Sequence, residues 1–139
     1  MVVYVNKKPI SPVVFLAPLA GITDLPFRNL VSSFGAGLVV SEMIASQEMV
    51  QAKHGVREKA ELGFGSDHTA VQLAGREAYW MSEAAKMAQD NGAQLIDINM
   101  GCPAKKVVNG YSGSALLKDL DHALTLIDAV VAAVSVPVT

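Results

Sequence analysis

An internal disulfide is closed to this chain, which has one cysteine, Cys102, in 139 residues. A lone thiol cannot form an internal bridge and suits a reducing compartment, so a cytoplasmic setting is expected. Charge is sparse at 17%, with 11 basic and 13 acidic residues and a net charge of -2. That excludes attachment to nucleic acid by bulk electrostatics, while leaving room for a local basic patch. No apolar run reaches about 18 residues, so no membrane span is expected. At the amino end Lys7 and Lys8 follow the apolar residues, the reverse of a secretory signal. Histidine is scarce too. His54, His68 and His122 fall on a polar helix face, in a loop and at a helix start. They read as surface residues, and their spacing with one cysteine gives no metal site.

What is present is apolar: 51% of residues, in a chain as long as one ordinary domain. That is enough to bury a real core. Val13–Leu16 reads as a short strand stopped by Ala17-Pro18-Leu19-Ala20-Gly21. Thr23 or Asp24 can cap a helix with Pro26 in its first turn and Phe27, Leu30, Val31 and Phe34 at helical spacing. Leu38–Ser41 is a second strand, closing on Glu42 and Met43. A weaker helical stretch runs from Ser46 to about Leu62, interrupted by Gly55, with Lys53, Arg57, Glu58, Lys59 and Glu61 as a solvated face. Gly63–Asp67 is loop. Thr69–Leu73 is a third strand, followed by a helix with Trp80, Ala84, Met87 and Ala88 on one face that stops near Asn91-Gly92.

The most informative stretch is Leu95-Ile96-Asp97-Ile98-Asn99-Met100-Gly101-Cys102-Pro103. An apolar strand ends there on an amide and a thiol, at the carboxyl end where α/β folds gather ligands. A loop from Ala104 to Ser112 follows. Then comes a helix with Leu124, Ile127, Val131 and Val134 on one face, and Val136-Pro137-Val138-Thr139 begins a fifth strand. Strands and helices alternating in this way imply a parallel sheet with right-handed crossovers. No strand is followed by a dinucleotide glycine fingerprint, and each strand end carries different polar residues. The pattern therefore predicts an α/β fold of the (β/α)8 TIM-barrel type, amino-terminal half only, since a closed barrel takes about 250 residues.

Several segments together resemble the tRNA-dihydrouridine synthases, closest to the bacterial B-type subgroup. They are Ala17–Asp24, Pro26-Phe27-Arg28, Ser41-Glu42-Met43, Val71-Gln72-Leu73, Asp97–Val107 and Gly113–Leu117. The resemblance runs from about residue 10 to the last residue. It implies an enzyme in which NADPH reduces FMN, the flavin passes a hydride to C6 of a uracil in tRNA, and a cysteine protonates C5. Carried over by motif, Cys102 is that acid and Asn99 helps hold the pyrimidine. The resemblance also implies that Pro18, Leu19 and Ala20 lie along the flavin largely through backbone and that Gln72 binds its ring. The position of Lys105 and Lys106 beside the cysteine leads to an expected contact with tRNA phosphate.

The chemistry suits these residue types. A hydride at C6 leaves an enolate that needs a proton from an acid still protonated at neutral pH, as a thiol is. An amide both donates to and accepts from a pyrimidine edge, and Gly101 suits the close approach of a flat base. The target base has to be turned out of its stack. Leu19 and the Val107–Tyr111 loop depart from the family's usual methionine and basic residues. Glu42 is read as fixing a neighbouring loop rather than as a site residue. By the same resemblance, residues 1–139 are the amino-terminal part of a flavin-binding barrel. The rest of the barrel and a carboxy-terminal helical tRNA-binding domain lie beyond Thr139. Two other readings are a related flavin barrel acting on a free pyrimidine, as dihydroorotate dehydrogenase does, and a catalytically inert half-barrel. Self-association is expected of the isolated chain, because an open half-barrel exposes strand edges.

Overall fold

Apolar residues recur on both faces of the central strands, and that decides the architecture. The computed structural model describes residues 2–5, 7–52, 56, 59, 61–62 and 68–139. An antiparallel hairpin of β1 (Val3–Val5) and β2 (Lys8–Ile10) comes first. The parallel sheet follows in chain order: β3 (Phe15–Leu16), then β4 (Leu38–Val40) and β5 (Ile44–Ala45), then β6 (Thr69–Ala74), then β7 (Leu95–Ile98). Ile96 N–H donates to Pro137 O and Ile98 N–H to Thr139 O, so the start of a fifth parallel strand lies beside β7. The hairpin was absent from the sequence expectation.

One face of β6 and β7 carries Val71, Leu73, Ile96 and Ile98, packed with Met81, Ala84, Ala85 and Ala88 of helix α3 (Ala78–Asp90). The alanines bring helix and sheet close, and Met81 is fully buried. Truncating such a methionine costs about 2–5 kcal/mol. The opposite face carries Ala70 and Leu95 in a second cluster with Ile10 and Leu38, so the hairpin plugs the amino ends of the strands. Above that plug, the same face turns polar at Gln72 and Asp97, which are register partners.

β4 and β5 are one strand broken by a bulge. Both lie on the same side of β6, but the step from Val40 to Ile44 is one residue longer than that from Ala70 to Leu73. Ser41 fills the gap: its N–H donates to Ala70 O, and its Oγ accepts from Gln72 N at 3.1 Å. The extra residue breaks the alternation and re-aims Glu42, a common use of bulges beside active sites.

Asp24 caps α1 (Leu25–Ser33), its Oδ1 accepting from Phe27 N at 3.0 Å, with Pro26 in the first turn as expected. The expected apolar face of α1 is rotated partly out of the core, with Phe27 and Val31 half-buried. Leu30 and Phe34 are exposed, Phe34 at 83%, and Arg28 is the buried residue. The rotation has a polar cause: Arg28 Nη1 donates to Thr23 O at 2.6 Å and Nη2 donates to Glu61 O, which ties α1 to that later segment.

Helix α5 (Leu120–Ala133) differs from expectation in part, since Ile127 and Val134 do pack half-buried against the core. It buries Ala123, Leu126 and Val130 against α3 and exposes Leu124 and Val131. A helix apolar on more than one side offers two stripes, and the one with the smaller Ala123 allows the closer approach. In α3, Met81 and Ala85 join Ala84 and Ala88 in the core, while Trp80 and Met87 are half-buried.

The helical stretch expected from Ser46 to Leu62 is a helix only over α2 (Ser46–Val50) and gives way to turn at Gln51-Ala52. Lys53, His54, Gly55, Arg57, Glu58 and Gly63–Asp67 lie outside the described residues, so the readings made there do too. The expected loop from Ala104 to Ser112 contains a single helical turn, α4 (Lys105–Val108), and a 3-10 helix follows at Gly113–Lys118.

Candidate active site

The polar residues gather at the carboxyl ends of the strands, as the sequence places them. Gln72 is 7% exposed on β6 and donates from Nε2 to Asp97 Oδ2 at 2.6 Å. Its Oε1 accepts from Asn99 Nδ2 at 2.9 Å. Asn99 Oδ1 in turn accepts from Cys102 N at 3.0 Å and Gly101 N at 3.3 Å. At the other end, Thr139 Oγ1 donates to Asp97 Oδ1 at 2.9 Å. One hydrogen-bonded relay thus runs from the fifth strand through Asp97, Gln72 and Asn99 to the backbone of Cys102. Strand alternation explains it: Asn99, just past the end of β7 and still paired to Leu73 O, falls on the same side as Asp97, and register sets Gln72 opposite Asp97.

Cys102 is a free, half-buried thiol. Its carbonyl accepts from Ser114 N at 3.0 Å, so the 3-10 helix closes over the loop that carries it. That closure needs a glycine at 113. Its φ is +60°, and a Cβ there would lie 2.6 Å from Cys102 O and 2.8 Å from Val107 Cγ1. Gly101, by contrast, is exposed and a Cβ on it would meet nothing within 4 Å, which leaves its backbone open to a flat ligand.

The loop after β3 leaves the sheet at the same end. Leu19 N–H donates to Thr23 Oγ1 at 3.0 Å, and Leu19 O accepts from Ile22 N, Thr23 N and Thr23 Oγ1. The backbone of Leu19 is therefore engaged within its own turn, and it offers its exposed side chain outward. Pro18 is half-buried and Ala20 exposed. Gly21 N donates to Glu42 Oε2 at 2.9 Å, so Glu42 does fix this loop. Burial pushes the Arg28 guanidinium below its ordinary value, against the opposing pull of Asp24, Glu42 and Glu61.

Lys105 and Lys106 are exposed on α4. Lys106 lines a cleft of about 300 Å3 with Met43, Glu48, Lys59, Val107 and Ser112. Lys59, which sequence reading left on a solvated face, also reaches Glu42 Oε2 at 3.8 Å. Asp97, Lys59 and Thr139 are the site-forming residues that sequence reasoning passed over. The available signal was Asp97, two residues before Asn99 on a strand. His68 is exposed, and His122 sits half-buried in the first turn of α5. No helix among the described residues is long and apolar enough to cross a membrane.

Sequential parallel βα units with polar side chains converging at the strand ends define the amino-terminal part of a (β/α)8-barrel fold. The same fold is seen in the structure of histamine dehydrogenase from Rhizobium sp. 4-9, with a TM-score of 0.67 at 12% identity over 99% of this chain and 32% of that one. The chain belongs to the dihydrouridine synthase (Dus) family, which it matches over residues 15–139. The probable tRNA-dihydrouridine synthase of Rhodobacter capsulatus is 62% identical over 141 residues, covering 100% of this chain and 43% of the relative. That of Rhizobium leguminosarum bv. phaseoli is 62% identical over 128 residues, covering 91% and 39%. The tRNA-dihydrouridine synthase B of Xanthomonas campestris pv. campestris is 50% identical over 130 residues, covering 94% and 39%. The chain thus spans about two fifths of the length of the curated relatives it matches, and corresponds to their amino-terminal part.

Proposed function

We propose that residues 1–139 are the amino-terminal part of the catalytic barrel of a cytoplasmic tRNA-dihydrouridine synthase. The full-length protein, with the rest of the barrel and a helical tRNA-binding domain, would reduce a uridine in tRNA to 5,6-dihydrouridine, using FMN and NADPH. The observation that carries this reading is the placement of Cys102. Its thiol sits at the carboxyl end of a barrel strand, on a loop pinned by Asn99 and closed by Gly113.

The residues present fit a flat heteroaromatic ring. The backbone at Gly101 is open to a planar group, and the amides of Gln72 and Asn99 carry both donors and acceptors. Pro18, Leu19, Ala20 and Gln72 would hold the flavin, with Leu19 contributing its side chain. A flavin held by these residues and reduced by NADPH would supply hydride-transfer chemistry at C6 of the base. Asn99 orients the pyrimidine, using the Nδ2 proton outside the relay. Cys102 holds a proton on Sγ and delivers it to C5, so that hydride and proton together saturate the C5–C6 double bond. The thiolate left behind regains its proton from water. Lys105 and Lys106 meet the tRNA backbone, where phosphate contacts set position rather than sequence. Family membership favours tRNA over the free pyrimidine of a dihydroorotate dehydrogenase-like enzyme.

Replacing Cys102 by Ala in the full-length protein tests the reading. NADPH-driven flavin reduction should persist while dihydrouridine formation falls by about 100-fold or more, within the span of general-acid contributions. Unchanged turnover on tRNA would remove Cys102 from the role.

A further inference from the structure

We infer that Asp97 is a positioning residue: it sets the direction of the amide relay and so holds Asn99 with its oxygen toward Cys102. Its functional consequence rests on the reading of Cys102 as the proton donor. The argument turns on which groups can only accept or only donate. A carboxylate accepts and does not donate, so Gln72 must turn Nε2 toward Asp97. Gln72 then presents Oε1 to Asn99, which must answer with Nδ2. Asn99 is left with Oδ1 facing the N–H groups of Gly101 and Cys102, which can only donate.

Both ends of the relay therefore demand the same orientation of the two amides between them. Without the acceptor at 97, Gln72 can rotate its amide by half a turn and offer Nε2 to Asn99. Asn99 would then be pulled between an oxygen wanted by Gln72 and an oxygen wanted by the cysteine loop. Asp97 is itself anchored by Thr139 on the next strand, so the fifth strand reaches the cysteine loop through four side chains. The relay also leaves one Nδ2 proton of Asn99 and one Nε2 proton of Gln72 outside it. The site thus offers both of these donors to a ligand carbonyl when Asp97 and the cysteine loop hold the amides this way round.

The test uses the full-length holoprotein with Asp97→Leu, Asp97→Ala and Asp97→Asn. In the apolar variants, reduction of tRNA by the flavin-saturated, pre-reduced enzyme should fall about 10- to 100-fold, the loss typical of a partner that orients a functional side chain. Hydrogen exchange at the Gly101 and Cys102 amides should quicken in the same variants and not across the remaining core. Asp97→Asn keeps an acceptor facing Gln72 and should stay within about threefold of the parent in both measurements. Equal losses in Asp97→Asn and Asp97→Leu, or no change in either, would overturn the inference. If both apolar variants fail to fold, Asp97→Asn alone decides: a normal Cys102 exchange rate supports the inference, and exchange about tenfold faster overturns it. Cys102→Ala is run beside them. If it still reduces tRNA, the proton-donor reading fails, while the exchange data still decide the role of Asp97.

Discussion

Gly113→Ala offers the sharpest quantitative test of how the cysteine loop is held. At φ +60° an alanine incurs about 1–2 kcal/mol of left-handed strain. Its Cβ would also lie 2.6 Å from Cys102 O, 2.8 Å from Val107 Cγ1 and 3.3 Å from Cys102 Cβ. Two of these are shorter than real Cβ contacts, and one is to backbone, which cannot rotate aside. Overpacking of this kind adds about 1–3 kcal/mol, for a total of about 2–5 kcal/mol. Gly35→Ala is the control, because it has a positive φ of +91° and nothing within 4 Å of the added Cβ. It should cost only the backbone strain of about 1–2 kcal/mol. Equilibrium urea denaturation of the two full-length variants, with turnover on tRNA, reads both consequences. The Gly113 variant should be the less stable and should lose most of its activity because Cys102 is displaced, while the Gly35 variant stays active. Equal stability of the two would show that the contact with Cys102 does not constrain the loop.

Gly101→Ala should change stability by less than about 0.5 kcal/mol, since the added Cβ meets nothing within 4 Å, yet sharply lower turnover if a flat base lies over this backbone; near-normal kinetics would move the ligand elsewhere. Glu42→Ala removes the acceptor for Gly21 N and should cost about 1–3 kcal/mol, read by urea denaturation, and weaken flavin retention through the loop after β3. Asp24→Ala should cost about 1 kcal/mol in the same assay through loss of the α1 cap. The isolated 139-residue chain should self-associate in sedimentation through exposed Phe34, Leu124 and Val131, and Phe34→Asp with Leu124→Asp should shift it toward monomer.

Most of the strand order was legible because buried parallel strands announce themselves as short apolar runs closed by polar punctuation. The cap at Asp24 and the stop at Gly92 were legible for the same local reason. Helix orientation was not, because spacing alone cannot choose between two apolar stripes on α5. Nor can it foresee that Arg28 satisfies two distant carbonyls and turns α1 around itself. The bulge at Ser41–Met43 was hidden because it depends on pairing with β6, a non-local fact. At the site, Cys102, Asn99 and Gln72 stood out as polar groups at strand ends. Asp97 did not: its importance lies in the cross-strand register with Gln72, which only the folded sheet supplies.

The hairpin plug has a consequence for the order in which the chain assembles. Ile10 precedes its partners in the chain, and Leu38, Ala70 and Leu95 arrive after it one strand at a time. Each new strand can dock on the same side chain, so the hairpin acts as a template on which the sheet is laid down in sequence. Parallel sheets are slow to form because their pairings are non-local. An anchor that packs on each strand in turn shortens its search to one loop closure, during synthesis as well as in refolding. Loss of Ile10 should therefore slow folding more than its place at the rim would suggest, with the strands left to find each other unaided.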